Sequence, residues 1–328
     1  MIQSILYGNG INLLTKGMPS WNGLISGLFE TNLDSQIPNP LKYEALLMNK
    51  RYRKPSHPLY NCDGQPILTI DGSEVYVLGE YTEKALLDKI VNRLLFYSKT
   101  NRIYDAISEL PVSHIITTNY DNTFFKSIGG EGAIKSKVVS EKKYSIHRNY
   151  VIDNPQIGLQ HYWPIHGNID SPSSIMIGYD HYCDSLSKIA YYARGGEDLK
   201  RKRVDSIEQR LKEGISDPIA WVDLFFISDV HIIGLGLNYD EMDLWWVLNK
   251  RRRIKWEDPK LINNEIYYYQ VDKLKKMQRK IFSRFDVEVV TLPSGLLSKD
   301  NISKYMPRYE AQITAMKGNM HCRTSVNT

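Results

Sequence analysis

The stretch "VSHIITTNYD", Val112 to Asp121, joins an apolar run to a polar turn. Its apolar residues are continuous and do not alternate strictly with polar ones, which is typical of a strand buried on both faces of a parallel sheet. Four other apolar runs end in small or polar residues in the same way: SILYGNG from Ser4, DVHIIGLGLN from Asp229, EIYYYQVD from Glu265 and VEVVTLPSG from Val287. These five runs predict the strands of a parallel sheet.

Amphipathic helical patterns lie between the predicted strands. The pattern from Glu83 places Leu86, Leu87, Ile90, Leu94 and Leu95 on one stripe. A second pattern, DEMDLWWVLNKRRR from Asp240, begins with acids and ends with bases, as the helix dipole favours. A third begins at Val271. The alternation of strands and helices predicts an α/β fold, with a Rossmann-like parallel sheet and helices on both faces.

Two stretches interrupt this alternation. Residues 50–82 contain several prolines and glycines among short β-like pieces, which indicates an insertion. Residues 126–215 are expected to hold a second insertion, a smaller helical module packed over the sheet. We therefore predict one domain over residues 1–292 with these two insertions, followed by a C-terminal helical tail over residues 293–328.

Composition and charge narrow the class of protein. The net charge of +5, from 42 basic and 37 acidic residues, is too small to imply a nucleic-acid or membrane partner. The basic runs from Leu199 and Asn249 are interpreted as solvated helix faces. The three cysteines are far apart and form no zinc-binding pattern, so no metal is expected. The chain opens directly on a strand pattern and has no long apolar segment, which predicts a cytoplasmic protein.

Four pieces of sequence could carry chemistry. YGNGIN (Tyr7 to Asn12) and IIGLGLN (from Ile232) are glycine turns, and TTNYD and WPIHGNID (from Trp163) are polar turns. Because ligands of open α/β sheets bind at the carboxyl ends of the strands, we expect the two glycine turns and TTNYD to share one edge. A plain strand-to-helix turn remains an alternative for YGNGIN alone. His166 in the fourth piece could act as a general base or simply bind a loop carbonyl.

Taken in this order, the four pieces resemble the NAD-binding domain of the sirtuins. GNGIN followed by GMPSW is similar to the family's G-A-G-I-S and G-I-P-D-F, and TTNYD is similar to T-Q-N-x-D. His166-Gly167 corresponds to the catalytic H-G, and GLGL to G-T-S-L. The four zinc-binding cysteines of sirtuin deacylases are missing. The segment from Gly234 resembles instead the bacterial NAD hydrolases of antiphage defence, such as the Thoeris effector and the sirtuin-like partners of HerA-type ATPases.

This resemblance implies that residues 1–292 bind NAD⁺ as a substrate and cleave its nicotinamide-ribose bond, giving nicotinamide and ADP-ribose. It implies that Asn119 positions water or the ribose hydroxyls and that His166 takes a proton. Asp121 would bind the carboxamide, and Trp21 would cover the nicotinamide pocket in place of the family's Phe. The remaining cofactor-binding residues would be Gly8, Asn9, Gly10 and Asn12 on the pyrophosphate side, and Thr118, Gly234 and Gly236 on the ribose and phosphate side.

Partners and alternatives follow from the same comparison. Uncontrolled loss of NAD⁺ would kill the host, so we expect control by a homo-oligomer, by a separate regulatory subunit, or by both. That subunit would be an ATPase or a nucleotide-sensing protein. A protein deacylase or ADP-ribosyltransferase is one alternative, and a non-catalytic NAD-sensing subunit is another. The joint presence of Asn119 and His166 favours catalysis.

Overall fold

The computed structural model describes residues 1–26, 28, 37–48, 52–53, 76–77, 83–97, 99–138, 143–196, 202–293, 296 and 305–326. The strands in these ranges are β1 (Ile2–Tyr7), β2 (Tyr52–Arg53), β3 (Tyr76–Val77), β4 (His114–Thr117), β5 (Ile134–Val138), β6 (Asn149–Asn154), β7 (Gly158–Pro164), β8 (Ser228–Ile233), β9 (Ile266–Tyr269) and β10 (Val287–Val290). Within this part of the chain, eight of them form one sheet in the order β10-β9-β8-β1-β4-β7-β6-β5.

Helices of varied length connect and flank these strands. They are α1 (Trp21–Ser26), α2 (Asn39–Met48), α3 (Glu83–Tyr97), α4 (Arg102–Ser108), α5 (Thr123–Ser127), α6 (Tyr179–Ala193), α7 (Ile207–Lys212), α8 (Trp221–Ile227), α9 (Met242–Glu257), α10 (Lys276–Arg284) and α11 (Tyr305–Val326). Among the described residues, none of these helices combines the length and apolar character that crossing a membrane requires.

The five predicted strands are confirmed as β1, β4, β8, β9 and β10, and all of them are parallel to their neighbours. The sheet as a whole is mixed, because β5 and β6 run antiparallel at one edge. A short hairpin causes this reversal: Asn154 pairs with Gly158, whose φ of +93° suits a glycine in a tight turn.

The prediction of a helical module over residues 126–215 needs correction. Residues 134–164 supply three strands of the main sheet rather than a module packed over it. In the last part of this range, the described helix is the short α7, and residues 197–201 lie outside the described residues. The longer helix α6 packs Ile189 and Tyr192 into the same core cluster as the sheet.

Successive residues of the central strands point to opposite faces, and each face has its own core. Leu6 packs in a cluster with residues of α6, α7, α8, α9 and α10. Its neighbours Ile5 and Tyr7 pack on the other face with residues of α4, α5 and α11. The predicted coverage of both faces is therefore confirmed. Since side chains alternate across a strand, a strand buried on both sides needs the apolar runs that the sequence shows.

Two peripheral parts complete the molecule. Helices α1, α2 and α3 share a third cluster, which includes Leu24, Tyr43 and Leu86 and contacts Tyr120 of the TTNYD turn. We call these three helices the cap. Of the predicted insertion at residues 50–82, β2 and β3 form an antiparallel pair, and the rest lies outside the described residues.

Candidate active site at the carboxyl edge of the sheet

Four neighbouring parallel strands end at the same level. Tyr7 of β1 is aligned with Ile233 of β8 on one side and with Thr117 of β4 on the other, and Thr117 is aligned with Pro164 of β7. The turns that follow these strands, beginning at Gly8, Gly234, Thr118 and Ile165, therefore start side by side. The register brings together all four pieces that the sequence singled out.

The two glycine turns pack directly against each other. The Gly10 N–H donates to the Gly234 carbonyl at 2.7 Å, and Gly234 has a φ of +65°. A Cβ on Gly10 would lie 2.6 Å from that carbonyl oxygen, and one on Gly8 would lie 2.9 Å from it. Such distances leave no room for a side chain. The glycines therefore have a packing role that the sequence interpretation did not include, while a Cβ on Gly236 would meet the Asn238 side chain at 3.3 Å.

A buried chain of polar side chains lies beside the glycine turns. The Asn12 amide donates to Asp121 Oδ2 at 2.7 Å and to Asn9 Oδ1 at 3.0 Å. Tyr104 of α4 donates its hydroxyl proton to Asn12 Oδ1 at 2.5 Å, and the Asn119 amide donates to the Tyr104 oxygen at 3.4 Å. Four predicted site residues thus form one network. Tyr104, which nothing in its local sequence marks, joins two of them.

Two polar atoms at the same edge are buried and unsatisfied. Asn119 Oδ1 and Thr118 Oγ1 have no hydrogen-bond partner among the described residues. Bulk water does not replace that partner from outside, because Asn119 is only 1% exposed. Buried polar atoms are normally paired, so an orphaned acceptor at this edge is a candidate to bond a ligand or a water molecule. Asp121 differs, since Oδ1 accepts from the Thr123 N–H at 3.0 Å and Oδ2 from Asn12. Its carboxylate already serves two partners inside the protein.

His166 lies just beyond the end of β7 and is paired with a carboxylate. Its Nε2 is 2.9 Å from Asp243 Oδ2, and both side chains are buried. Asp243 lies in the first turn of α9, where its Oδ1 also accepts from the Leu244 N–H at 2.9 Å. Burial alone would lower the pKa of His166. The charge of Asp243, its hydrogen bond and the charge of Glu241 outweigh that effect and raise the pKa above 6.5.

Two of the site residues, Asn119 and His166, lie within a segment that matches a protein-family model. Residues 113–212 match the SIR2-like domain. The segment contains both Asn119 and His166, together with strands β4 to β7. SIR2-like domains bind NAD⁺, so the match supports a Sir2-type family and an NAD-utilising enzyme on the α/β fold described above. No curated protein sequence matches the chain significantly.

Outside the SIR2-like segment, two acids at the start of α9 belong to the site: Glu241 directly precedes the helix, and Asp243 lies in its first turn. Sequence reasoning misses their role, because the helix dipole already explains acids at a helix start. Burial raises the pKa of the Glu241 carboxyl to about 7, with the His166 charge opposing the shift and the Asp243 charge adding to it. Among the described residues, Glu241 Oε2 is buried without a hydrogen-bond partner.

The same three side chains could hold a metal ion. One ligand atom from each of His166, Glu241 and Asp243 lies within 4.8 Å of the others. The imidazole nitrogen of this group is already hydrogen-bonded to Asp243. His166 and Asp243 therefore already form a hydrogen-bonded pair that can bind a proton.

The cap covers the TTNYD turn from outside the sheet. Trp21, the first residue of α1, packs its indole against the Tyr120 ring with 4.6 Å between centroids. Tyr120 stands between Asn119 and Asp121, and its hydroxyl donates to the Met176 carbonyl. The structure thus places Trp21 against the TTNYD turn.

Proposed function

We propose that the chain is an NAD⁺ hydrolase, which cleaves the nicotinamide-ribose bond and gives nicotinamide and ADP-ribose. The observation that carries this proposal is the pairing of Asn119 and His166 at one sheet edge. Each stands two residues beyond an aligned pair of strand ends, Thr117 and Pro164. One offers an orphaned buried acceptor and the other a carboxylate-paired imidazole.

In the proposed reaction, water attacks the ribose carbon as the glycosidic bond breaks. The bonding electron pair returns to the nicotinamide nitrogen, so nicotinamide leaves as a neutral molecule and needs no acid. Asn119 Oδ1 accepts one hydrogen of the water and turns a lone pair of the water toward the carbon. His166 takes the proton, and Asp243 stabilises the resulting imidazolium. The raised pKa of His166 makes its imidazole a stronger base.

The remaining predicted residues take supporting roles in this proposal. Backbone groups of the glycine turns at Gly8, Gly10 and Gly234 would approach the pyrophosphate, as in other dinucleotide-binding turns. The orphaned Thr118 hydroxyl would bond the ribose side. Trp21 would shield the nicotinamide, and Asp121 would act mainly by holding Asn12. All of these groups belong to the protein, so the mechanism needs no metal.

The cellular role that we propose is depletion of NAD⁺ during phage infection. The resemblance of the segment from Gly234 to antiphage NAD hydrolases supports this role. We further propose that a homo-oligomer or a separate regulatory subunit, an ATPase or a nucleotide-sensing protein, controls the enzyme.

The proposal is tested by incubating the full chain with NAD⁺ and measuring released nicotinamide by chromatography. Asn119→Ala and His166→Ala should abolish release. His161→Asn is the matched control, because His161 lies on β7 before the site and is aligned with the first residue of β4. It should retain release. Calorimetry with NAD⁺ runs beside the assay. Binding without release would favour the NAD-sensing alternative, and absence of both binding and release would refute the proposal.

A further inference from the structure

We infer that Tyr104 is a positioning residue, which fixes the side-chain amide of Asn119 with its oxygen toward the attacking water. This inference rests on the proposed function for the identity of the ligand. It concerns a residue of α4, outside the strand-end turns that contribute Asn119 and His166.

The direction is set at Asp121, because both of its carboxylate oxygens accept hydrogen bonds from neighbouring N–H groups. Its Oδ2 lies 2.7 Å from the Asn12 amide, so Asn12 must turn its NH₂ group toward it. Asn9 Oδ1, also an acceptor, takes a second hydrogen from the same NH₂ group at 3.0 Å. The Thr123 N–H holds the other carboxylate oxygen at 3.0 Å. Asn12 is therefore left with its carbonyl oxygen pointing away from Asp121.

The next two bonds follow from that orientation. Asn12 Oδ1 is an acceptor, so the single hydroxyl proton of Tyr104 goes to it, at 2.5 Å. The Tyr104 oxygen has no second proton, so it can only accept a hydrogen bond from its other neighbour, Asn119. Asn119 must present its NH₂ group to that oxygen, and it does so at 3.4 Å. Asn119 Oδ1 is consequently turned away from Tyr104, where it is buried without a partner among the described residues.

The Tyr104 hydroxyl is held firmly enough to impose this choice. Tyr104 is fully buried, and the Tyr7 ring packs edge-on against its ring with 5.6 Å between centroids. Asn101 caps α4 through the Ile103 N–H at 3.0 Å and donates to the Ile11 carbonyl at 3.0 Å. The helix is thereby tied to the first glycine turn. If the Asn119 amide were flipped, its NH₂ group would donate a hydrogen bond to the water. The lone pair of the water would then point to that NH₂ group and away from the reacting carbon.

The test is Tyr104→Phe, which removes the hydroxyl and keeps the ring. We expect the turnover number for nicotinamide release to fall about 10- to 100-fold, the loss typical of a misplaced reacting group. The dissociation constant for NAD⁺ should change by less than about threefold, because substrate binding does not require the amide orientation. Unchanged turnover, or weaker binding with unchanged turnover, would overturn the inference.

Tyr162→Phe is the matched control. Tyr162 is a fully buried tyrosine of the same core cluster. Its hydroxyl is bonded to Tyr7 at 3.2 Å and is not one of the hydrogen-bonding groups that link Asp121 to Asn119. It should reduce thermal stability to a similar degree while leaving turnover within about threefold. An equal fall in turnover in both variants would mean that Tyr104 acts through packing alone.

A second readout does not depend on turnover. In protein labelled with ¹⁵N-asparagine, the Asn119 side-chain NH₂ resonances are assigned by their loss in Asn119→Ala. Tyr104→Phe should shift them and Tyr162→Phe should not. If the parent protein releases no nicotinamide, the proposed function fails in the kinetic assay, and this measurement still decides the role of Tyr104. Unshifted resonances in Tyr104→Phe would overturn the inference.

Discussion

Replacing Asp243 by asparagine is expected to disable His166 while leaving the fold intact. The Asp243 carboxylate serves two donors, the Leu244 N–H on Oδ1 and the imidazole on Oδ2, each at 2.9 Å. An asparagine of the same shape has one acceptor oxygen and one NH₂ group, so it cannot accept from both. If the backbone N–H keeps the oxygen, the NH₂ group faces His166 Nε2 and forces the proton onto Nδ1.

The expected magnitudes differ for stability and for activity. Loss of a buried hydrogen bond to a charged group costs about 1.5–3 kcal/mol. The folded-state pKa of His166 is raised above its unfolded value of 6.5, so this stabilisation is fully present below pH 6.5 and is lost as pH rises through the folded pKa. The variant should therefore be least stable, relative to the parent, below pH 6.5. The wrong tautomer should slow nicotinamide release by about 10²- to 10⁴-fold.

Thermal unfolding of both proteins between pH 5.5 and pH 9, with nicotinamide release at each pH, provides the measurement. Asp229→Asn is the matched control, since Asp229 is equally buried and accepts from Gln3 and from the Glu265 N–H at the opposite end of the sheet. It should lower the unfolding temperature without the same pH trend and without loss of release. A deficit of Asp243→Asn that is constant with pH, or full activity in that variant, would refute the reasoning.

Three other changes test separate features. Gly10→Ala should lose about 1–3 kcal/mol of stability by overpacking, because the new Cβ would lie 2.5 Å from the Tyr309 hydroxyl. Gly132→Ala is the control and should unfold at the parent temperature, because its Cβ would meet no atom within 4 Å. Glu241→Gln should stabilise the protein by up to about 3 kcal/mol above pH 7 and by nothing below pH 4.5. The reason is that the Glu241 carboxyl holds its proton to about pH 7 in the folded protein, whereas in the unfolded chain it loses it near pH 4.5. A stability difference that does not vary with pH would contradict this prediction. Treatment with EDTA should leave nicotinamide release unchanged, and lost release that zinc restores would contradict a proton-binding role for His166.

The parallel part of the fold could be predicted from sequence because strands buried on both faces must be apolar throughout. The antiparallel edge could not. Strand β7 carries Gln160 and His161 among its apolar residues, and β6 begins and ends with asparagines. The hydrogen bonds of these side chains depend on the folded sheet: Gln160 accepts from Asn154 across the hairpin and donates to the Val112 carbonyl, 48 residues earlier in the chain. The sequence does not show these partners, so the polar residues of β6 and β7 have the local pattern of a loop.

The site was predictable to the extent that it follows strand ends. Asn119 and His166 stand directly after strands β4 and β7, so topology alone brings them to one edge. Asp243 and Tyr104 reach that edge from helices, and each has an ordinary local explanation, as a helix-start acid or as a core aromatic. Their roles depend on the exact approach of α9 and α4, which no spacing in the chain encodes.

The contact of α11 with the glycine turns makes the C-terminal helix a structural part of the candidate site. The sequence interpretation set residues 293–328 apart as a tail, yet Tyr309, Ile313 and Met316 belong to the core cluster under β1. Removing α11 would leave an open apolar trough directly beneath the turn that begins at Gly8. Anything that bends or displaces this helix, including a protein bound along its outer side, would therefore act on the glycine turns at the carboxyl edge of the sheet without touching Asn119 or His166.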